Sequence, residues 1–191
     1  MELKEAKQLV RSRLGDKRYE HTLNVKKMAV KLARHYGEDE DKAALAALLH
    51  DSAKEMPKSE MRELMRRWPQ YADGGEERPA PVWHGICAAI LARTEWGVTD
   101  EDVLSAIACH TTGKAGMSRL DKILYLADMT SAERDWDGVD ELRRLELEDL
   151  DRAMLAALEQ SNRFVLEQGK PLDATSQAAY DDIKARCARE K

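Results

Sequence analysis

The stretch AALAALLHDSAK, residues 43–54, decides the fold class and points to the chemistry of this protein. Its first seven residues, 43–49, form an apolar run of helix-favouring Ala and Leu, which is typical of a core helix. His50, Asp51 and Lys54 follow directly, so an imidazole, a carboxylate and an ammonium group emerge together where that helix is expected to end. A charged carboxylate in such a place is costly unless it is paired or bound to a metal ion.

The rest of the chain has the composition of a helical protein. Its 191 residues include one Phe, five Pro and ten Gly, and Ala, Leu, Glu, Lys and Arg are frequent throughout. No stretch of strict apolar and polar alternation predicts a strand. The length fits one domain, since two small domains would share a short chain only with difficulty. We therefore expect an all-α protein in which residues 1–191 form a single domain.

Capping and breaking residues predict where the helices lie. Glycines and prolines end helices, and a Ser or Thr followed three residues later by an acidic residue resembles a capping box. Residues 69–81, the stretch richest in Pro and Gly, are predicted to be the main loop. The predicted helices are 3–14, one that carries Val25 to Tyr36 and stops at Gly37, 39–53, 59–68, 82–96, one that is capped by Thr99 with Asp102 and ends near Gly113, one from Ser118 to Met129, and two or three more after Gly138.

Charge and hydropathy exclude several classes of protein. The chain has 31 Lys and Arg against 36 Asp and Glu, a net charge of −5, which argues against electrostatic binding of nucleic acid. The longest apolar runs, 43–49 and 86–92, are far shorter than the roughly 20 residues needed to span a membrane. The charged N-terminus lacks a secretory signal, so we expect a cytoplasmic protein that begins at Met1. Its three cysteines are expected to be reduced, mostly buried thiols.

Four histidines lie beside apolar residues in or at the ends of predicted helices: His21, His50, His84 and His110. Taken singly, each is more often a hydrogen-bonded core residue than a metal ligand. Asp128 follows the apolar run ILYLA, 123–127, and is hard to explain as a solvated surface charge. Imidazole and carboxylate groups together suit Fe, Zn, Mn or Co. The alternative is a helix salt bridge between Asp51 and Lys54.

Adjacent residues of a helix point about 100° apart, so His50 and Asp51 reach one ion only if other helices supply further ligands. Six short motifs, in order along the chain, resemble those of a known family in which several helices supply metal ligands. The sequence resembles the HD superfamily of metal-dependent phosphohydrolases and, more closely, its YqeK family of symmetrical bis(5'-nucleosyl)-tetraphosphatases, over roughly residues 15–181. The motifs are RYEH at 18–21, ALLHDSAK at 47–54, WHG at 83–85, AIACHTTG at 106–113, ILYLAD at 123–128 and ER at 133–134.

This resemblance implies an HD-domain helical bundle that hydrolyses diadenosine tetraphosphate at the middle of its phosphate chain to two ADP. It implies iron or another divalent transition metal, with His21, His50, Asp51 and Asp128 as ligands. His84 and His110 match positions that face the phosphates or hold a second ion. Because two ions would share few carboxylates, we expect one tight site and, if a second ion binds, a weaker one. The catalytic residues are then expected to be Asp51, Lys54, His84 and His110.

The expected reaction is attack of a metal-bound hydroxide on a phosphoanhydride phosphorus, which needs positioning and charge neutralisation rather than a Ser or Cys nucleophile. A protein of net charge −5 must then supply cations locally for an anionic substrate. Arg18, Lys54 and Arg134 lie beside the metal motifs and fit this role, although each could instead be an ordinary solvated charge. Thr111, with Thr112, could donate hydrogen bonds to phosphate.

The C-terminal part of the chain is expected to complete the nucleotide pocket. The resemblance implies that Thr175 and Tyr180, in PLDATSQAAYDD at 171–182, help to line it. Asp181 departs from the family pattern, in which Asn is common at that place. The domain is thus divided into metal motifs over 18–134 and C-terminal helices over 139–191.

Two other functions compete with this hypothesis. One is an HD phosphohydrolase that acts on another nucleotide, and the other is a non-catalytic nucleotide-binding helical module. The presence of all six ligand-type residues argues against the second. The expected partners are a dinucleoside polyphosphate substrate, its ADP product and, in a homodimer, a second copy of the chain, with no nucleic acid and no membrane.

Overall fold

Ten α-helices build the fold in the computed structural model, which describes residues 1–189. No β-strand occurs in this part of the chain, so the all-α prediction is confirmed. The helices are α1 (Leu3–Arg13), α2 (Asp16–Tyr36), α3 (Glu40–Leu49), α4 (Lys58–Arg67), α5 (Trp83–Thr94), α6 (Glu101–Cys109), α7 (Arg119–Thr130), α8 (Val139–Glu148), α9 (Leu150–Glu167) and α10 (Ala174–Arg189).

The core forms around α3, α5 and α7, whose apolar side chains are almost entirely buried. Helix α3 packs against α1, α2, α6 and α7, and α5 packs against α4 and α6. Helix α9 joins the C-terminal helices to this core through α7. A helix that is apolar all round must be enclosed by others, which explains the central position of the stretch 43–49. The largest fully buried side chains include Leu48, Leu49, Ile86, Ile90, Ile107, Ile123, Leu124, Leu126, Met154 and Leu158.

The capping geometry corrects one predicted helix start and confirms another. Helix α6 is capped by Asp100, whose carboxylate accepts hydrogen bonds from the backbone N–H groups of Asp102 and Val103, so the predicted Thr99 cap is wrong. A carboxylate at this position pairs with the unsatisfied N–H groups of the first turn and with the helix dipole. The predicted capping box of α7, Ser118 with Asp121, is confirmed.

Helix α3 ends at Leu49 and not at the predicted residue 53. Tighter turns follow, in which the N–H of Ser52 donates to the carbonyl of Leu49 and the N–H of Lys54 donates to that of Asp51. His50 still has helical backbone angles, and the tighter turns begin after it. Helix α6 likewise ends at Cys109, before the predicted limit near Gly113.

The predicted main loop, residues 69–81, contains three short 3₁₀ turns, at Pro69–Tyr71, Gly75–Glu77 and Ala80–Val82. Of the cysteines, Cys87 and Cys109 are buried and Cys187 is half-buried. Within residues 1–189, every helix is too short or too polar to cross a membrane.

Five helix ends meet at one place in this bundle. Helices α3, α6 and α7 end there, and α2 and α5 begin there. The carboxyl end of a helix carries partial negative charge and favours a nearby cation. The fold therefore gathers polar side chains from distant parts of the sequence into a region where three carboxyl ends favour a cation and the amino ends of α2 and α5 favour an anion.

Candidate functional site

The six residues that the sequence singled out lie together where the five helix ends meet. Asp51 and the three histidines 50, 84 and 110 are between 0% and 3% exposed, and His21 is 7% exposed. Asp128 is half-buried. Such a concentration of titratable groups inside a protein requires mutual pairing or a bound cation.

Asp51 is the centre of this cluster. Its Oδ2 atom faces His50 Nε2 at 3.5 Å and His21 Nε2 at 3.7 Å. Its Oδ1 atom faces His84 Nε2 at 3.2 Å and His110 Nε2 at 3.7 Å. Asp128 pairs with the first side, where its Oδ1 atom lies 3.1 Å from His21 Nε2. We name the first side, with His21, His50 and Asp128, the Asp128 half, and the second, with His84 and His110, the His84 half.

The other ring nitrogen of each histidine is held by an acceptor. Nδ1 lies 2.7 Å from the Ala47 carbonyl in His50, 2.9 Å from the Pro81 carbonyl in His84 and 2.8 Å from the Ile107 carbonyl in His110.

In His21, Nδ1 pairs with the carboxylate of Glu133. Since carbonyls and carboxylates only accept, we assign the proton to Nδ1 in each ring. The lone pair of Nε2 in each neutral ring then points towards Asp51 and is available to a metal ion between them. Metal-ligating histidines are held by their other nitrogen in the same way.

The donor set fits a divalent transition metal. The buried Nε2 atoms of His21 and His50 have no hydrogen-bond partner. The Nε2 atoms of His84 and His110 are 3.1 Å apart, where two lone pairs repel unless a proton or a cation lies near them.

Three ligand sets have all of their donor atoms within 4.8 Å of one another. They are His21 with His50 and Asp51, His50 with His110 and Asp128, and Asp51 with His84 and His110. Imidazole with carboxylate suits a transition metal better than Mg²⁺ or Ca²⁺.

The electrostatics of the cluster keep its ligands in their metal-binding forms. Burial lowers the pKa of His50 to about 4 and also lowers that of His84. Although burial favours a neutral carboxyl group, the surrounding histidines hold the pKa of Asp51 well below its usual range. In Asp128, the adjacent His21 and His50 rings and the positive charge of Arg134 likewise outweigh burial and lower the pKa.

His21 behaves differently from the other rings. Burial alone would lower its pKa, but Asp128 and Glu133 raise it. The ring is thus flanked by two carboxylates. The greater negative charge therefore lies on the Asp128 half of the cluster.

Three cationic side chains border the cluster. Arg18 donates to Asp51 Oδ2 at 2.8 Å, and Arg134 donates to Asp128 Oδ1 at 2.7 Å. The Lys54 amine lies 3.2 Å from His84 Nε2, and desolvation there lowers its pKa, as do the nearby guanidinium groups. Since Asp51 pairs with Arg18, the alternative of a simple Asp51 to Lys54 salt bridge finds no support in this geometry.

Sequence reasoning missed the residues that hold the cluster from behind. Glu133 accepts from His21, from Asn24 at 2.8 Å and from Ser131 at 2.8 Å. The ER pair at 133–134 pointed to this segment, but nothing in it indicated that Glu133 would orient an imidazole.

Arg143 of α8 is a second residue that the sequence did not reveal. Its guanidinium donates to the carbonyl oxygens of Thr130 at 3.0 Å, Ser131 at 2.9 Å and Arg134 at 2.8 Å. It therefore fastens the segment that carries Glu133 and Arg134 to the end of α7.

A cavity of about 390 Å³, which we name the Thr111 cavity, adjoins the His84 half. Thr111 and Thr112 follow His110, and Pro81 is the residue whose carbonyl holds His84. The C-terminal helices supply the opposite wall. Its lining includes Pro79, Pro81, Val82, Thr111, Thr112, Ser161, Asn162, Phe164, Val165, Gln168, Lys170, Pro171, Leu172, Asp173 and Ser176.

Arg78, which sequence reasoning also missed, ties this cavity wall together. Its guanidinium binds Asp173 through two nitrogens and donates to Thr112 at 3.2 Å and to Thr175 at 2.6 Å. The predicted substrate residue Thr175 is therefore placed in a network behind the wall. The predicted residue Tyr180 contacts Glu159 at 3.3 Å.

The aromatic Trp83, next to His84, is a core residue whose indole N–H donates to the Arg78 carbonyl. Asp181 accepts a hydrogen bond from Gln177 one turn earlier on α10. Neither residue contacts the six-residue cluster through these bonds.

Comparison with known proteins agrees with this geometry. Residues 18–133 match the HD domain family. The chain is 38% identical to a Bacillus subtilis protein over 90% of this chain and 92% of that one, and 40% identical to a Halalkalibacterium halodurans protein over 93% and 95%. Both relatives are named symmetrical bis(5'-nucleosyl)-tetraphosphatase.

A solved structure from Clostridium acetobutylicum is similar over nearly the whole chain. It is described as a predicted HD superfamily hydrolase involved in NAD metabolism, is 36% identical and superposes with a TM-score of 0.88, over 97% of this chain and 98% of that one. The matches cover the cluster, the cavity wall and the C-terminal helices. This chain belongs to the HD domain family and, within it, to the symmetrical bis(5'-nucleosyl)-tetraphosphatases.

Proposed function

We propose that this protein hydrolyses dinucleoside tetraphosphates symmetrically and converts diadenosine tetraphosphate to two ADP. The observation that carries the proposal is the arrangement around Asp51, in which four imidazoles present Nε2 to the two oxygens of one buried carboxylate. Membership of the family named for this activity supports it. A bound divalent metal supplies a water of lowered pKa and polarises the attacked phosphoryl group.

His21, His50, Asp51 and Asp128 would hold a metal most tightly. This half has two carboxylates among its four ligands, and Glu133 orients His21 from behind, which strengthens a ligand and fixes its tautomer. Asp51 can serve both halves because its two oxygens face opposite sets of histidines. The mixed imidazole and carboxylate donors support iron or another divalent transition metal in this site.

His84 and His110 would hold a second, more weakly bound ion or face the phosphate chain. Their half has only the shared carboxylate of Asp51. The Lys54 amine beside His84 provides a proton donor 3.2 Å from its ring nitrogen. A protonated group at this place can donate to a phosphate oxygen or to the departing ADP.

Binding of the phosphate chain would rest on Arg18, Lys54 and Arg134. Each lies against a member of the cluster, and each is partly accessible to solvent. Because phosphoryl transfer depends on positioning and charge neutralisation, these cations stabilise the charge that the reaction develops. They also explain how a chain of net charge −5 binds a polyanion.

The Thr111 cavity would accept one nucleoside. Its volume lies at the lower end of the range for small-molecule sites, and its lining mixes apolar side chains with a few polar groups. Residues of α9 and of the connection to α10 form one wall, which supports the expectation that the C-terminal helices complete the nucleotide pocket. Thr111 would donate a hydrogen bond to a phosphate of the substrate. Thr175 would act through Arg78, and the role of Tyr180 stays a prediction.

Product analysis tests the proposed function. Protein purified without chelators and supplied with Fe²⁺, Mn²⁺ or Co²⁺ is incubated with diadenosine tetraphosphate, and the products are separated by ion-exchange chromatography. We expect ADP alone, because symmetrical cleavage gives two identical products. Formation of ATP with AMP, or no turnover with any of these metals, contradicts the proposal.

The same experiment distinguishes the competing functions. Hydrolysis of a deoxynucleoside triphosphate or a cyclic dinucleotide in preference to diadenosine tetraphosphate would indicate another HD phosphohydrolase. Binding without turnover would indicate a non-catalytic module. A cytoplasmic location and a homodimer are further parts of this proposal, and fractionation of cell extracts and light scattering of the purified protein test them.

A further inference from the structure

A second cavity, of about 320 Å³, borders the segment that follows Asp128. We name it the Trp136 cavity. It begins at Met129, the residue after Asp128, and so adjoins the Asp128 half as the Thr111 cavity adjoins the His84 half. Its lining consists of Met129, Arg134, Trp136, Gln160, Ser161 and Phe164.

The two cavities share one wall. Ser161 and Phe164 line both of them. Phe164 is the only phenylalanine of the chain, and its side chain is 59% exposed. This exposure is unusual because burial of an aromatic ring stabilises a protein core or an interface strongly. An exposed aromatic side chain between two cavities offers an apolar surface to a ligand in either of them.

The Trp136 cavity has the chemistry of a nucleoside site. The Trp136 indole is held in place because its N–H donates to the Met129 carbonyl at 3.0 Å. Arg134 binds Asp128 and also lines the cavity, so a positive charge stands between the cluster and the cavity. Gln160 adds an amide whose oxygen accepts from Arg163 and whose NH₂ group can donate at a base edge. Aromatic surfaces, a cation on the phosphate side and an amide are what a purine nucleoside diphosphate requires.

From this arrangement we infer that the Trp136 cavity binds the second nucleoside of the substrate, with the first in the Thr111 cavity and the phosphate chain across Asp51. The inference rests on the proposed function. The substrate is symmetric, but the two sites that bind its ends are different. One site is formed by the α6 to α7 turn and the C-terminal connection, and the other by Trp136 and α9. The enzyme therefore binds both nucleosides of the dinucleotide.

Filling one cavity at a time tests this inference. In the metal-loaded protein, Gln160→Trp fills the Trp136 cavity and Leu172→Trp fills the Thr111 cavity. We measure KM for diadenosine tetraphosphate and the inhibition constant of ADP, a ligand with only one nucleoside. Each variant is expected to raise KM roughly tenfold or more, since each removes the contacts of one base.

The effect on ADP separates two sites from one. With two sites, ADP still binds in the cavity left open, so neither single variant raises its inhibition constant as much as KM, and only the double variant abolishes inhibition. An unchanged KM in Gln160→Trp overturns the inference. The inference is also overturned if one single variant raises KM and the ADP inhibition constant equally while the other single variant changes neither.

Two further variants keep the test decisive if a filled cavity disturbs folding. Trp136→Ala removes the aromatic surface and is expected to raise KM, whereas Trp136→Phe should restore most of the loss. Trp96→Ala removes another half-buried indole, one that packs against Arg13, and should leave KM unchanged. If wild-type protein forms no ADP from the dinucleotide, the proposed function itself fails, and this is seen before any variant is compared.

Discussion

The Asp128 half and the His84 half of the cluster are built from the same residue types but differ in charge. The Asp128 half has Asp51, Asp128 and, behind His21, Glu133, and these carboxylates raise the pKa of His21. The His84 half has only the shared Asp51, and a lysine amine stands against its ring. Surplus negative charge favours a permanently bound cation, whereas a ring beside an amine is suited to an exchangeable ion or to a phosphate.

This difference teaches that a row of similar histidines does not define equivalent sites. The carboxylates and cations around each imidazole decide its role. Variants of the two halves should therefore separate loss of metal from loss of turnover.

The largest effect is expected from removing a ligand of the Asp128 half. Asp51→Ala or His50→Ala should abolish hydrolysis and remove most of the bound metal, because groups behind the cluster cannot replace a direct ligand. Plasma mass spectrometry of protein purified without chelators measures the metal, and ADP formation measures activity. Near-normal turnover with full metal occupancy in either variant would refute the assignment.

The next variants test the His84 half. His84→Ala and His110→Ala should lose activity while at least one metal per chain remains, since the four ligands of the Asp128 half are intact. The same two measurements apply. If both imidazoles hold a second ion, the metal content falls by one ion, and if they face the phosphate chain it stays constant. Complete loss of metal from either variant would show that the division into halves is wrong.

The bordering cations should have smaller effects than the ligands. Lys54→Ala, Arg18→Ala and Arg134→Ala are expected to lower kcat/KM roughly tenfold to a hundredfold, as loss of a hydrogen bond to a charged group does. Metal content should be unchanged. Arg67→Ala, an exposed arginine of α4, serves as the control for removal of a surface charge. Metal loss in Arg134→Ala would contradict its role in phosphate binding.

Glu133→Gln tests the extra carboxylate behind His21 directly. The amide keeps the size of the side chain but removes the charge that favours a ligating His21, so metal affinity should fall roughly 10–100-fold. Excess metal should restore turnover, which distinguishes positioning from catalysis. The exposed Glu148, changed to Gln, is the matched control. If Glu133→Gln and wild type bound metal with equal affinity, the charge of Glu133 could not explain tighter metal binding by the Asp128 half.

The smallest effect on activity is expected from Glu146, which titrates away from the cluster. Its carboxyl group is fully buried and accepts from Thr130, and burial raises its pKa to about 7. The folded protein then keeps a proton that the unfolded chain releases, so stability falls as pH rises from about 4.5 to about 7, by about 3 kcal/mol at most. Denaturant unfolding at several pH values should show this slope in wild type and a weaker one in Glu146→Gln. An identical slope in both proteins would exclude Glu146 as its source.

The sequence by itself determined the helical class and the membership of the site. The apolar, helix-favouring residues 43–49 form a helix that must be buried inside a bundle. His50, Asp51 and Asp128 lie at the ends of such apolar runs and therefore cannot be ordinary surface groups. Local patterns also predicted the Ser118 capping box. These features are readable because their physical cause lies within a few residues of the chain.

Only the tertiary structure decided how the six residues are divided. Which oxygen of Asp51 faces which histidine depends on the tight turns after Leu49 and on five helix ends that are distant in sequence. The same holds for Glu133, Arg143 and Arg78, whose partners lie on other elements and leave no periodic signal. Charge differences between the halves, and the two unlike cavities beside them, arise from long-range packing, since no local pattern specifies which side chains meet across a bundle.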